Sequence, residues 1–262
     1  PLCGGRAYDR RNGYMIDCRG DIIMQYWSTG YDSVYMARFG LDGTLKHKAA
    51  IPNALYDVYG MGVLKESPLE YWQWRGIGNA NLAVYVLDSA FHLQNTVVIN
   101  KFLRDDFVEI EIDTLAVVIE VREYLDFDND TEVIPIGGDK VLVASRYTHD
   151  TVLFANAEKG VAVAKYDLRT MQREALIIFN DYPGWVHEGH CIGFKQMTDG
   201  SVYFLYRENG YPAQGVVAVK MDTDLHVEWK RWYKTDIAMA PLDLPIVYED
   251  EQGGHRMGGR RN

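Results

Sequence analysis

The stretch HCIGFKQMTDGSVYFLYRENGYPAQGVVAVKMDTDLHVEWKRWY, residues 190–233, decides the fold. It divides into four apolar-rich segments: 190–197, 201–208, 216–222 and 226–233. The turns TDG (198–200) and TDL (223–225) and the loop NGYPAQG (209–215) separate them. Each segment has strand length, alternates or is β-branched and aromatic, and is bounded by Gly, Asp, Asn or Pro, which is the pattern of consecutive antiparallel strands.

The same grammar recurs upstream. The third copy runs EVIPI, GGDK, VLVASRY, a long loop, GVAVAKYD, LRTM, QREALIIF. The first runs GYMID, CRGD, IIMQYW, STGYDS, VYMARFG, LDG, TLKHKAAI. The second is weaker, from GMGVLKE to VVINKF with LAVYVLD as its third strand. Third strands end at Gly40, Asp88, Asp167 and Asp222, at intervals of 48, 79 and 55 residues. The outer intervals fit a four-stranded repeat of about 40–50 residues, the length of a propeller blade. The excess in the middle one is the acidic stretch 105–130, either a degenerate extra blade or an inserted hairpin. The sequence therefore predicts an all-β, β-propeller-like fold with four recognisable four-stranded blades plus a degenerate fifth. A domain over 1–234 and a C-terminal extension over 235–262, read as flexible or tethered to a partner, complete the predicted organisation. A β-sandwich is the runner-up.

Residues 197–233 resemble the blade repeat of bacterial quinoprotein-like propellers, with a DG turn before a strand, a Lys-apolar-Asp triplet ending the third strand and a Trp in the fourth. Similar repeats occur in secreted surface propellers of gut-type bacteria and in arylsulfate sulfotransferases. The likeness is good over 184–234, fair over 130–180 and slight before that. It implies a fold far more than an activity, because propellers host binding, scaffolding and many chemistries.

The chain has 262 residues, 47% hydrophobic and 13% aromatic, with a formal net charge of −10. That balance disfavours a nucleic-acid partner, whose phosphates call for clustered Lys and Arg. No apolar run approaches the roughly 20 residues of a spanning helix, so no membrane span is expected. The chain begins at Pro1 without an initiator Met, and a processed or trimmed chain is the expectation, with any export signal out of view. Cys3 and Cys18 either bridge in an oxidising compartment or remain free thiols, and Cys191 stands apart.

Blade geometry sorts the loops. Turns within strand pairs one–two and three–four are short, whereas the loops after second strands and between blades are long. The long set brings Tyr26, Trp27, Tyr31, Trp72, Trp74, Arg75, Arg146, Tyr147, His149, Trp185, His187, Glu188 and Arg207 to one rim. Trp185, His187, Arg146, Tyr147, His149 and Arg207 form the expected ligand site, with an indole to stack and guanidinium groups to hold carboxylate or sulfate.

In WVHEGH (185–190) the two imidazoles are three apart beside glycine, which is not the helical zinc spacing. The ordinary reading of His187, Glu188 and His190 is structural. The functional alternative is ligand contact, or catalysis with Arg146, since the stretch with Arg207 resembles a blade of the arylsulfate sulfotransferases. Asp126, Asp128 and Asp130 alternate as calcium ligands do, although a solvated acidic turn is the simpler account and the EF-hand pattern fails. Trp72, Trp74, Trp229 and Trp232 are assigned to packing between blades.

The predicted function is an extracytoplasmic binding or scaffold protein recognising a glycan or another polar or anionic ligand on one rim. No cofactor is expected, calcium being the one ion the acidic turn would suit. The alternatives are a propeller enzyme, either a glycan hydrolase or lyase or an aryl sulfotransferase, and a subunit of a surface assembly, with the C-terminal tail as a contact for a protein partner.

Overall fold

The computed structural model describes residues 14–27, 34–51, 60–77, 81–112, 115–127, 131–151, 154–179, 188–209, 214–234, 246–249 and 255–258. Among them there is no helix; every regular element is a strand. The first sheet holds β1 (Tyr14–Ile16), β2 (Ile22–Trp27), β3 (Val34–Phe39) and β4 (Leu45–Ile51), in that order. The second holds β5 (Gly60–Glu66), β6 (Leu69–Ile77), β7 (Asn81–Leu87) and β8 (Leu93–Asn100).

Next come β9 (Phe102–Ile112) and β10 (Leu115–Asp126), then β11 (Glu132–Gly137), β12 (Lys140–Thr151), β13 (Phe154–Asp167) and β14 (Gln172–Phe179). The fourth meander is β15 (Glu188–Gln196), β16 (Val202–Asn209), β17 (Gln214–Met221) and β18 (Val227–Lys234). A two-stranded sheet of β19 (Ile246–Glu249) and β20 (His255–Gly258) follows. The tail read as a flexible extension thus contains a hairpin.

Four antiparallel meanders stand where four blades are predicted, and the third is elaborated. The stretch 105–130 is a hairpin, not a blade: β9 pairs β10, and β10 pairs the distal part of β12 from Val121↔Thr151 to Asp126↔Arg146. β11 also pairs β12. The segment SRYTHDTVLFANAEKG, expected as a loop, is mostly strand, because β10 supplies the partner that lets β12 run on to Thr151.

One turn is written five times. At Asp17–Asp21, Gly40–Thr44, Asp88–His92, Met197–Ser201 and Asp222–His226 the first amide donates to the fifth carbonyl and the fourth amide to the first carbonyl. The fourth residue is left-handed each time: Gly20, Gly43, Phe91, Gly200 and Leu225, with φ between 64° and 84°. Asp carboxylates lock these turns. Asp88 Oδ1 accepts from the amides of Ala90 and His92 at 2.8 and 2.9 Å, and Asp222 Oδ1 from those of Asp224 and His226 at 2.8 and 2.9 Å. Asp17 does the same for Arg19 and Asp21, while Asp42 and Asp199 cap Thr44 and Ser201. Part of the acidic excess is thereby spent on backbone donors that a tight turn leaves unpaired.

The chain divides into two compact units: 1–99 with 133–141 and 167–172, and 100–132 with 142–166 and 173–262. In the first unit one side of the first sheet (Met15, Ile23, Val34, Met36) packs with Met61, Val63, Tyr71, Tyr85, Leu87 and Phe91 of the second. This seam carries polar cross-links. Tyr71 donates to Asp17 Oδ2 at 2.9 Å, Arg38 donates to the Tyr71 hydroxyl at 2.8 Å and to the Ser89 carbonyl at 2.7 Å, and Gln73 donates to Gln25 at 2.7 Å. In the second unit Phe179 of β14 meets Phe204 and Tyr206 of β16 at 5.8 and 5.7 Å between centroids, and Lys165 reaches Asp224 at 2.6 Å.

Candidate functional site

The β10–β12 ladder fixes three of the expected ligand residues. Asp126 stands opposite Arg146, Leu125 opposite Tyr147 and Glu123 opposite His149, so strand alternation puts Arg146 on one side and Tyr147 with His149 on the other. Arg146 holds the Asp126 carboxylate at 3.0 Å. His149 Nδ1 lies 3.3 Å from Glu123 Oε1, and Tyr147 is buried beside Leu125. The ladder brings Tyr147 and His149 together and separates both from Arg146. Asp126, a predicted calcium ligand, serves here as the partner of Arg146. Asp128 and Asp130 lie outside the described residues, as do Trp185, His187, Tyr31 and Cys3. Among the described residues no group of three or more His, Cys, Asp or Glu side chains could hold a metal ion.

Arg207 sits in β16 opposite position 190 of β15 and Val216 of β17, and position 188 stands opposite 209. Positions 188, 190 and 207 therefore share one side of the ladder near the end where the loops after β14 and β16 begin. Val216 is opposite Tyr233, which is exposed, so this row crosses the whole fourth sheet from His190 to Tyr233. Cys18 is a free, half-buried thiol and Cys191 a buried one.

The tryptophans divide into two kinds. Trp72 and Trp74 are 2% and 5% exposed and stack on one another, ring centroids 4.6 Å apart. Each lies over a cross-strand glycine, Trp72 over Gly62 and Trp74 over Gly60, where any Cβ would collide with the indole. These contacts are packing within one sheet, and both residues belong to strand β6 and not to a loop. Trp229 meets Tyr203 edge-on at 5.7 Å and carries the Arg231 guanidinium 5.0 Å over its ring, again a packing role.

Trp232 differs from Trp72 and Trp74 in exposure. It is 45% exposed, yet it too lies over a glycine, Gly215, whose added Cβ would meet the indole Nε1 and would come within 2.8 Å of Cε2 and 2.9 Å of the Tyr233 carbonyl oxygen. In the sequence Gly215 closes the loop NGYPAQG, whereas in the structure it is the second residue of β17, where a glycine permits a close approach.

Tyr26 and Tyr35 stack at 5.8 Å on the first sheet with the Lys48 ammonium 4.0 Å over Tyr35. Tyr14, Ile16 and Met24 of that sheet are exposed.

These features define an all-β chain of antiparallel meanders whose described polar groups are largely cross-linked to one another. No family model matches it, and no curated protein does. No helix among the described residues is long and apolar enough to cross a membrane.

Proposed function

We propose that the chain, whose repeats resemble those of quinoprotein-like propellers, is an extracytoplasmic binding or scaffold module. Its meanders act as propeller-like blades that recognise a glycan or another polar or anionic ligand at the end where the long loops run. One observation carries this reading. At the long-loop end of the fourth meander one row of the ladder aligns positions 190, 207, 216 and 233 across all four strands. Arg207, in register with His190 and Tyr233, stands where β15, β16 and β18 approach that end and brings to it a guanidinium, the group suited to planar recognition of carboxylate or sulfate.

A glycan array run beside chromogenic glycoside and aryl sulfate substrates tests the proposal. Saturable binding without turnover is the expected result. Turnover that disappears in His187→Ala would replace binding with catalysis, and a stable protein complex with no small ligand would make the chain an assembly subunit.

A further inference from the structure

We infer that Trp232 is the stacking platform of the glycan site, and that the sugar it takes is an acidic one, a uronate or a sulfated hexose; the inference rests on the binding reading above. The argument starts from a device used three times. A cross-strand glycine lets an indole close onto the backbone of the neighbouring strand, and Gly60, Gly62 and Gly215 each make room for one. In the second sheet the outer faces are consumed, because Trp72 and Trp74 stack on each other and are buried. In the fourth sheet the same seating leaves Trp232 45% exposed, with Tyr233 next to it 40% exposed. Packing explains the first two indoles. It does not explain why a strand gives up a side chain at Gly215 to seat an indole while much of it stays in water.

A flat, immobilised indole face suits the C–H face of a pyranose ring, which gains contact area without ordering a flexible side chain. The position agrees. Trp232 lies opposite Val217 and diagonal to Gly215, in the last three residues of β18 and beside the first two of β17, at the long-loop end of the sheet. Charge supplies the second half of the ligand's description. Lys230 stands two residues before Trp232, on the same side of β18, and is exposed, with its ammonium 6.0 Å from the Phe179 ring centroid. In a chain of net charge −10 a lysine on the same side of the strand as an exposed indole favours a sugar carrying an anion over a neutral one.

The experiment titrates neutral, uronate-containing and sulfated oligosaccharides into the full chain, following binding by calorimetry. Trp232→Ala should weaken binding of the acidic sugars at least tenfold and Trp232→Phe should recover part of it. Gly215→Ala, which keeps the indole but lifts it, should lose binding to a similar degree with an unchanged far-ultraviolet spectrum. Lys230→Gln should reduce the preference for acidic over neutral sugars. Binding unchanged within twofold in Trp232→Ala but lost in Arg207→Ala overturns the platform and leaves the rim-binding reading standing. A wild-type chain that binds none of the sugars overturns both.

Discussion

Phe91 and Met171 occupy the same left-handed region, with φ of 64° and 59°, and should answer replacement by glycine with opposite signs. Left-handed backbone costs a side-chain-bearing residue about 1–2 kcal/mol. Phe91 is 1% exposed, its ring packed on Tyr71 and His47 with the Arg38 guanidinium 5.4 Å above it. Losing such an aromatic costs about 3–5 kcal/mol, so Phe91→Gly should destabilise by about 1–4 kcal/mol. Met171 is 54% exposed and has little burial to lose, so Met171→Gly should be neutral or stabilise by up to about 1 kcal/mol. Urea midpoints measure both, and stabilisation of both variants would mean that backbone strain alone governs these sites. Beside Phe91, Tyr71 makes a pH-dependent contribution. Burial, then its bond to Asp17, holds its phenol above the ordinary 10.0, with Arg38 pulling the other way. The folded chain thus keeps this proton more tightly than the unfolded one. The associated stability is intact below about pH 10 and is lost as the pH rises further. Tyr71→Phe should flatten that alkaline decline while costing about 1–3 kcal/mol at neutral pH, since Asp17 loses a donor and Arg38 an acceptor. An unchanged alkaline limb in the variant would assign the decline to other groups.

The turns make the next testable unit. Burial raises the Asp88 and Asp222 carboxyls, but the amides and imidazoles of His92 and His226, with the Ala90 and Asp224 amides, outweigh it and hold both below the ordinary 3.8. Their stabilisation is present above that value and is lost as the pH falls through the lowered one. Asp88→Ala and Asp222→Ala should each remove up to about 1 kcal/mol at neutral pH and soften acid unfolding below about pH 4. Asp222→Asn, which keeps the Oδ1 acceptor, should cost less than the alanine, and equal losses would mean that charge and not turn capping matters. Four of these turns were legible from their Asp or Gly residues, whereas Asp88–His92, with Phe91 at the left-handed position, carries no Gly to mark it. The strands β12 and β13 were less so. Arg146–Thr151 (RYTHDT) mixes charge with hydroxyl groups and gives no clean alternation, and its partner β10 lies some 25 residues earlier inside an acidic insertion. A strand whose pairing comes from an insertion cannot be read from its own window. The site suffered for the same reason. Arg146, Tyr147 and His149 looked like loop neighbours, whereas a strand deals them to opposite sides.

At the scale of the whole chain, the fourfold grammar appears as four meanders because each local choice (alternation, Asp/Gly turns, strand length) agrees with the same antiparallel pairing. The part that breaks the repeat is the β9–β10 hairpin, and its removal tests how far the repeat stands alone. β10 pairs only the distal half of β12, while β11 and β13 also flank that strand. Joining Lys101 to Thr131 through a short Gly-Ser turn deletes the insertion. It takes away Val121 and Leu125, 5% and 0% exposed, and the Asp126 partner of Arg146. Tyr147, buried opposite Leu125, is then uncovered. The loss of two buried aliphatic side chains alone predicts a decrease of about 3–6 kcal/mol. The meanders retain their own ladders, however, and in a repeat architecture stability is roughly a sum of units and their neighbour terms. The shortened chain should therefore melt at a lower temperature but still cooperatively, keep its β-type circular dichroism and retain sugar binding dependent on Trp232, which belongs to the fourth sheet. A chain without a cooperative transition would mean that the insertion is part of the folding unit and not an addition to it.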